Sequence, residues 1–89
     1  VHSGYIASVI AEEDLMPILA QRAGIYRRYK QAGEEVARGE KLAEILDPSE
    51  GNVLEEITSP IEGVIFFSHK SPLVNQNEIV YEIIKRFHT

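Results

Sequence analysis

Apolar residues recur along this chain in short runs, separated by clusters of Gly, Pro, Asn, Asp, Ser and Glu. Short alternating runs bounded by such clusters are the mark of half-buried β-strands. The pattern predicts strands over residues 5–10, 16–20, 25–30, 41–46, 53–58, 63–68 and 78–85. Turns are predicted at the acidic 12–14, at 22–24, 32–34, 39–40, 71–72 and 75–77, with a bend at Pro60. The densest turn cluster is Asp47-Pro48-Ser49-Glu50-Gly51-Asn52. Residues 34–46 carry a competing signal, because Glu, Ala, Arg, Lys and Leu favour a helix there. Gly39 in its middle would cost such a helix about 1 kcal/mol.

An internal repeat settles that conflict. Residues 17–26 align with 56–65 at an offset of 39. At an offset of 38, Val36, Gly39, Glu40, Leu42, Glu44, Ile45 and Leu46 face Val74, Asn77, Glu78, Val80, Glu82, Ile83 and Ile84. Residues 79–84 are rich in β-branched and aromatic side chains, which suit a strand. Repeat partners should share a conformation, so 41–46 is read as a strand too. Each half is too small to bury its apolar face alone, so the halves must pack on each other. The expected core is Ile18, Ile25, Val36, Leu42, Ile45, Ile57, Val64, Val80 and Ile83.

Composition narrows the possibilities. Eighty-nine residues make one domain at most. A net charge of −5 argues against a nucleic-acid partner, which needs surplus Lys and Arg. With no cysteine there is no disulfide framework, thiolate metal knuckle or cysteine nucleophile. The longest apolar run, Val64-Ile65-Phe66-Phe67, is far short of the ~18 residues of a membrane helix. No signal peptide pattern opens the chain. A cytoplasmic domain with no membrane partner is expected. The first residue is Val1 and the single methionine is Met16, which reads as an excised or processed domain.

The motifs carry a resemblance. Gly33-Glu34-Glu35-Val36-Ala37-Arg38-Gly39-Glu40-Lys41-Leu42-Ala43-Glu44-Ile45 is similar to the G-D-x-V-x-x-G-x-x-L-x-x-I signature of biotinyl and lipoyl carrier domains. Ser59-Pro60-Ile61-Glu62-Gly63-Val64-Ile65 is similar to their A-P-x-x-G-x-V segment. The resemblance implies an all-β barrel-sandwich hybrid with a pseudo-twofold repeat over 17–85. Residues 1–16 would lead in as a strand and acidic turn, and 86–89 would form a tail. Carrier domains display a lysine at the hairpin between the halves, where this chain has Asn52. Lys30, Lys41, Lys70 and Lys85 all lie off that hairpin. An Asn amide is not nucleophilic, so no covalent lipoyl or biotin group is expected.

A closer resemblance adds Val53-Leu54-Glu55-Glu56-Ile57-Thr58-Ser59-Pro60 and His69-Lys70-Ser71-Pro72-Leu73-Val74. These resemble the C-terminal domain of the succinylglutamate desuccinylase/aspartoacylase family, zinc-dependent amide hydrolases whose C-terminal domain is a lysine-free version of the same fold. Ser59 replaces the usual Ala, Lys70-Ser71 is inserted before Pro72, and Asn77 stands where a Gly-Asp turn is usual. The resemblance implies a non-catalytic domain that packs on a zinc-bearing catalytic domain and shapes substrate access. The alternative is a free-standing carrier or interaction module of biotinyl/lipoyl type.

The family's zinc site is a His-x-x-Glu pair plus a distant His. His2, His69 and His88 include no such pair, so no metal, cofactor or catalytic residue is expected in this fragment. There is no nucleophile elbow and no phosphate loop. The acidic pairs Glu12-Glu13, Glu34-Glu35 and Glu55-Glu56 point to opposite faces of a strand and read as charged surface. Three side chains remain as candidates for substrate access or an interface. Arg27 and Arg28 lie in the basic cluster Tyr26-Arg27-Arg28-Tyr29-Lys30, where a guanidinium can grip a carboxylate or guard an edge strand. His69 sits at a turn beside Pro72, where a hydrogen-bonded role is the plainer reading. Gly24, Gly33, Gly39 and Gly63 are expected as structural turns.

Overall fold

The computed structural model describes residues 15–85. The strand predicted at 5–10, the acidic turn at 12–14, His2 and His88 lie outside the described residues. Eight strands follow: β1 (Leu15–Leu19), β2 (Gly24–Arg28), β3 (Glu35–Val36), β4 (Lys41–Leu46), β5 (Val53–Thr58), β6 (Gly63–Ser68), β7 (Leu73–Val74) and β8 (Ile79–Lys85). There is no helix among the described residues. The strand reading of 41–46 is therefore right, and tertiary pairing overrides the helical propensity. The two-residue strands β3 and β7 were not expected, because each lies inside a stretch dominated by turn residues.

The strands form two antiparallel sheets. Sheet A has the order β1-β8-β6-β3 and sheet B the order β5-β4-β2-β7. Applying the sequence repeat exchanges β1 with β5, β2 with β6, β3 with β7 and β4 with β8. That exchange turns the order of one sheet into the order of the other. Each sheet takes its two central strands from one half of the chain and its two edges from the other.

The turns repeat as well. Gly39 and Asn77, partners in the repeat, have φ of +85° and +69°. Asn is among the few residues that enter this left-handed region readily. The Gly39 N–H donates to Ser59 O and the Asn77 N–H to Ala20 O, both at 2.7 Å. The carboxylates of Glu40 and Glu78 accept from the N–H groups of Ala37 and Asn75, both at 2.9 Å. Gly33, with φ +96°, turns the chain into β3.

The inner faces of the sheets meet in a core that includes Val36, Leu42, Ile45, Ile57, Ile65, Val74, Val80, Tyr81 and Ile83. Each such side chain contributes about 1.5–3 kcal/mol by leaving water. Two expected core residues are corrected: Ile25 is 36% exposed and Val64 is half-buried, whereas Ile18 is half-buried and packs against the core. The reason is strand parity. Gly24 and Gly63 occupy the inward positions that start β2 and β6, and a glycine gives no apolar signal. The inward set is therefore Gly24 and Tyr26 on β2, and Gly63 and Ile65 on β6. An added Cβ at Gly24 would run into the carbonyl oxygen of Leu46, and one at Gly63 into that of Ile84. Close backbone approach, not a positive φ, is what both glycines permit.

Candidate functional site

The Arg27 side chain leaves the outer face of sheet B. Its cross-strand partner on β4 is Glu44, and Glu44 in turn faces Glu56 on β5. Glu44 is the one acid in the apolar run of β4 and is itself only 5% exposed. A carboxylate so placed needs partners. Oε1 accepts from Arg27 Nη2 at 2.6 Å, Arg27 Nε at 3.2 Å and the Tyr29 hydroxyl at 2.8 Å. Oε2 pairs with Lys41 Nζ. The Arg27 guanidinium and Lys41 Nζ also lie 5.8 and 5.2 Å from the Tyr29 ring centroid. The hydrogen bonds from Lys41, then Arg27, then Tyr29 hold the Glu44 carboxyl down at about 2. Arg27 and Lys41 are pushed up by the same carboxylate.

Arg27 is thus committed to a neighbouring acid. β2 is an interior strand by sheet order, not an edge strand, but β7 pairs only with Gly24 and Ile25. From Arg27 onward one flank of β2 carries no strand. Tyr29 and Lys30 leave the ladder, and both their N–H groups donate to Leu42 O.

Arg28, the next residue on β2, points to the opposite face and is exposed. Its charge acts on the hydroxyls of Tyr26 and Tyr81. Both phenols are pushed up chiefly by burial. The Tyr81 hydroxyl lies 2.7 Å from Lys30 O and 2.9 Å from Leu42 O, to which it donates. The Tyr26 hydroxyl is buried and makes no hydrogen bond of good geometry.

His69 packs edge-on against Tyr26, with ring centroids 5.1 Å apart. Its Nε2 lies 2.8 Å from Leu73 O, which fixes Nε2 as the protonated nitrogen in the neutral ring. Nδ1 lies 3.6 Å from a Glu78 carboxylate oxygen. The Nε2 bond therefore ties the turn before β7 to the start of β7 itself. Arg28 and His69 both lie near Tyr26, whereas Arg27 sits on the opposite face of β2.

The hairpin between β4 and β5 is closed by Asp47 N–H to Asn52 O and Gly51 N–H to Asp47 O, both at 2.8 Å. Asn52 is exposed beside its tip. Among the described residues no group of three or more His, Cys, Asp or Glu is placed to hold a metal ion.

Sequence reasoning missed Glu44, Lys41 and Tyr81. A signal for Glu44 was present, since a lone acid in an apolar strand calls for a cation at the cross-strand position. Tyr81 gave none, because its hydroxyl bonds to main-chain carbonyls remote in sequence.

Neither a protein-family model nor a curated protein sequence matches this chain. Solved structures do. The product-bound structure of the ectoine utilization protein EutE (DoeB) from Ruegeria pomeroyi superposes with a TM-score of 0.76 at 18% identity, over 86% of this chain and 24% of that one. A succinylglutamate desuccinylase/aspartoacylase from Rhodobacter sphaeroides gives 0.73 at 22% identity, over 89% and 24%. An aspartoacylase family protein from Mesorhizobium loti gives 0.62 at 14% identity, over 88% and 25%. At these identities the likeness is one of fold. The chain spans about a quarter of the length of the solved chains it resembles.

Proposed function

We propose that this chain is the non-catalytic C-terminal domain of a zinc-dependent amide hydrolase of the succinylglutamate desuccinylase/aspartoacylase family. It packs on the catalytic domain of a longer, cytoplasmic polypeptide and shapes access of an acyl-amino acid substrate to it. The observation that carries this reading is the superposition on a quarter of such a protein, at a TM-score of 0.73 over 89% of this chain. The motif resemblance supports the same family independently.

On this reading the zinc is held by the catalytic domain. The fold is a barrel-sandwich hybrid of biotinyl/lipoyl type. The two-sheet architecture and the exchange of strand orders under the repeat support that assignment. A free-standing carrier is the weaker reading. Asn52 stands beside the hairpin tip, and Lys30 and Lys41 are held in ion pairs with Glu40 and Glu44.

The test begins with the gene. A reading frame that continues upstream of Val1 and encodes His-x-x-Glu supports the proposal. The full-length protein should then hydrolyse N-acyl amino acids and lose that activity with chelator. A start codon adjacent to Val1 would remove the proposal.

A further inference from the structure

The outer face of sheet B carries a feature that the sandwich itself does not use. Cross-strand partners in an antiparallel sheet lie on the same face. Leu73 pairs with Ile25, Ile25 with Leu46, and Leu46 with Val53. One row of four apolar side chains therefore crosses β7, β2, β4 and β5 in order. The next residues, Val74, Tyr26 and Ile45, are buried, so the row points away from the core. Leu73 is 62% exposed, Val53 43% and Ile25 36%. At the usual strand spacing the row is about 14 Å long.

One step along the strands, on the same face, lie Arg27, Glu44 and Glu56, with Lys41 paired to both acids. An apolar stripe bordered by charges that already satisfy one another has the anatomy of a protein interface, with a dry centre and a polar rim. The repeat supplies an internal control. The equivalent row on sheet A reads Glu35, Val64, Ile84, Leu15. A glutamate stands there in place of Leu73, and the other three members are half-buried. The backbone plan thus accepts a charge at this position, and the exposed leucine on sheet B is not demanded by folding.

We propose that the row Leu73, Ile25, Leu46 and Val53 is the surface on which the rest of a longer polypeptide docks. This inference rests on the deacylase-domain reading above. Chain length identifies the occupant: in the solved structures this fold accounts for 24% of the chain, so 76% of each lies outside it. The docked surface is apolar opposite the row and presents an acceptor opposite Arg27. Arg27 gives Nε and Nη2 to Glu44, and about half of its side chain stays exposed.

Footprinting by photochemical carbene labelling tests this, on the 89-residue chain and on the full-length protein side by side. Leu73 and Val53 should be labelled several-fold less in the full-length protein, while Phe66 on sheet A is labelled alike in both. Leu73→Glu in the full-length protein should restore labelling of Val53, and in the 89-residue chain it should leave the melting temperature unchanged. Protection of Phe66 with Leu73 fully labelled would overturn the choice of face and leave the deacylase-domain reading intact. Equal labelling everywhere would overturn both. Protection already present in the 89-residue chain, with a dimer mass by light scattering, would overturn the occupant in favour of a second copy.

Discussion

Replacing Gly24 by alanine places a methyl group against the Leu46 carbonyl oxygen and 3.0 Å from Ile45 Cγ2. Gly63→Ala does the same to the Ile84 carbonyl, with Ile83 Cγ2 at 3.0 Å. Neither carbonyl is the end of a flexible side chain. Each belongs to a central strand and yields only if its ladder yields. Overpacking of this kind costs about 1–3 kcal/mol. The adjoining pairs Ile25–Leu46 and Val64–Ile84 are strained at the same time, which places both variants in the upper part of that range. For a domain this size ~1 kcal/mol shifts the melting temperature by about 4–8 °C. Each variant should therefore melt roughly 10–20 °C below wild type. Gly33→Ala is the control, because its Cβ would meet nothing within 4 Å and its cost comes from φ +96° alone. Thermal melts by circular dichroism read all three. Either inward variant melting with wild type, or Gly33→Ala melting below both, would refute the close-approach argument.

Acid titration probes Glu44. Its folded pKa is lowered to about 2 from an ordinary 4.5, so its contribution is complete above the higher value and fades as pH falls toward the lower. The wild-type melting temperature should drop more steeply than that of Glu44→Gln across this interval, and parallel curves would contradict the network. Tyr81→Phe leaves the Lys30 carbonyl short of a donor, while the Leu42 carbonyl keeps the Tyr29 and Lys30 N–H groups, and should cost about 1–2 kcal/mol in urea unfolding. Tyr26→Phe removes a buried hydroxyl that makes no hydrogen bond of good geometry, so stability should hold or rise; a loss equal to that of Tyr81→Phe would contradict this. Co-expression with biotin or lipoate ligase should add no mass to the chain, and an adduct on any lysine would restore the carrier reading.

The repeat was legible because turn residues and apolar positions recur together, and it predicted the β-structure of 41–46 against local propensity. Strands β5 and β6 fall on their expected limits, since Asn52, Pro60 and Gly63 punctuate them. The parity of β2 was not legible. An apolar residue on each side of its inward face, with glycine at one inward position, leaves Ile25 and Tyr26 equally eligible for the core. Burial chose the tyrosine and left the isoleucine outside. The site suffered from the same limit. Arg27 and Arg28 stand out as a basic pair in sequence, but which of them meets Glu44 depends on a register that pairs residues 17 positions apart. His69 was visible as a turn residue; its bond to Leu73 O also follows from local spacing.

The interlacing of strands has a consequence for how the molecule comes apart. The loop over 47–52 is the single covalent crossing between two segments that share both sheets. A protease nick at Gly51 would leave two pieces, neither holding a complete sheet. Sheet A would lose its middle and sheet B its edges if the second piece departed, so the pieces must stay together or unfold together. Mixed as separate peptides, they should reconstitute the sandwich at a concentration-dependent melting temperature. By the same reasoning, two copies of either piece supply the strand count of the whole, which makes a symmetric pair of half-chains a physically sensible ancestor of this fold.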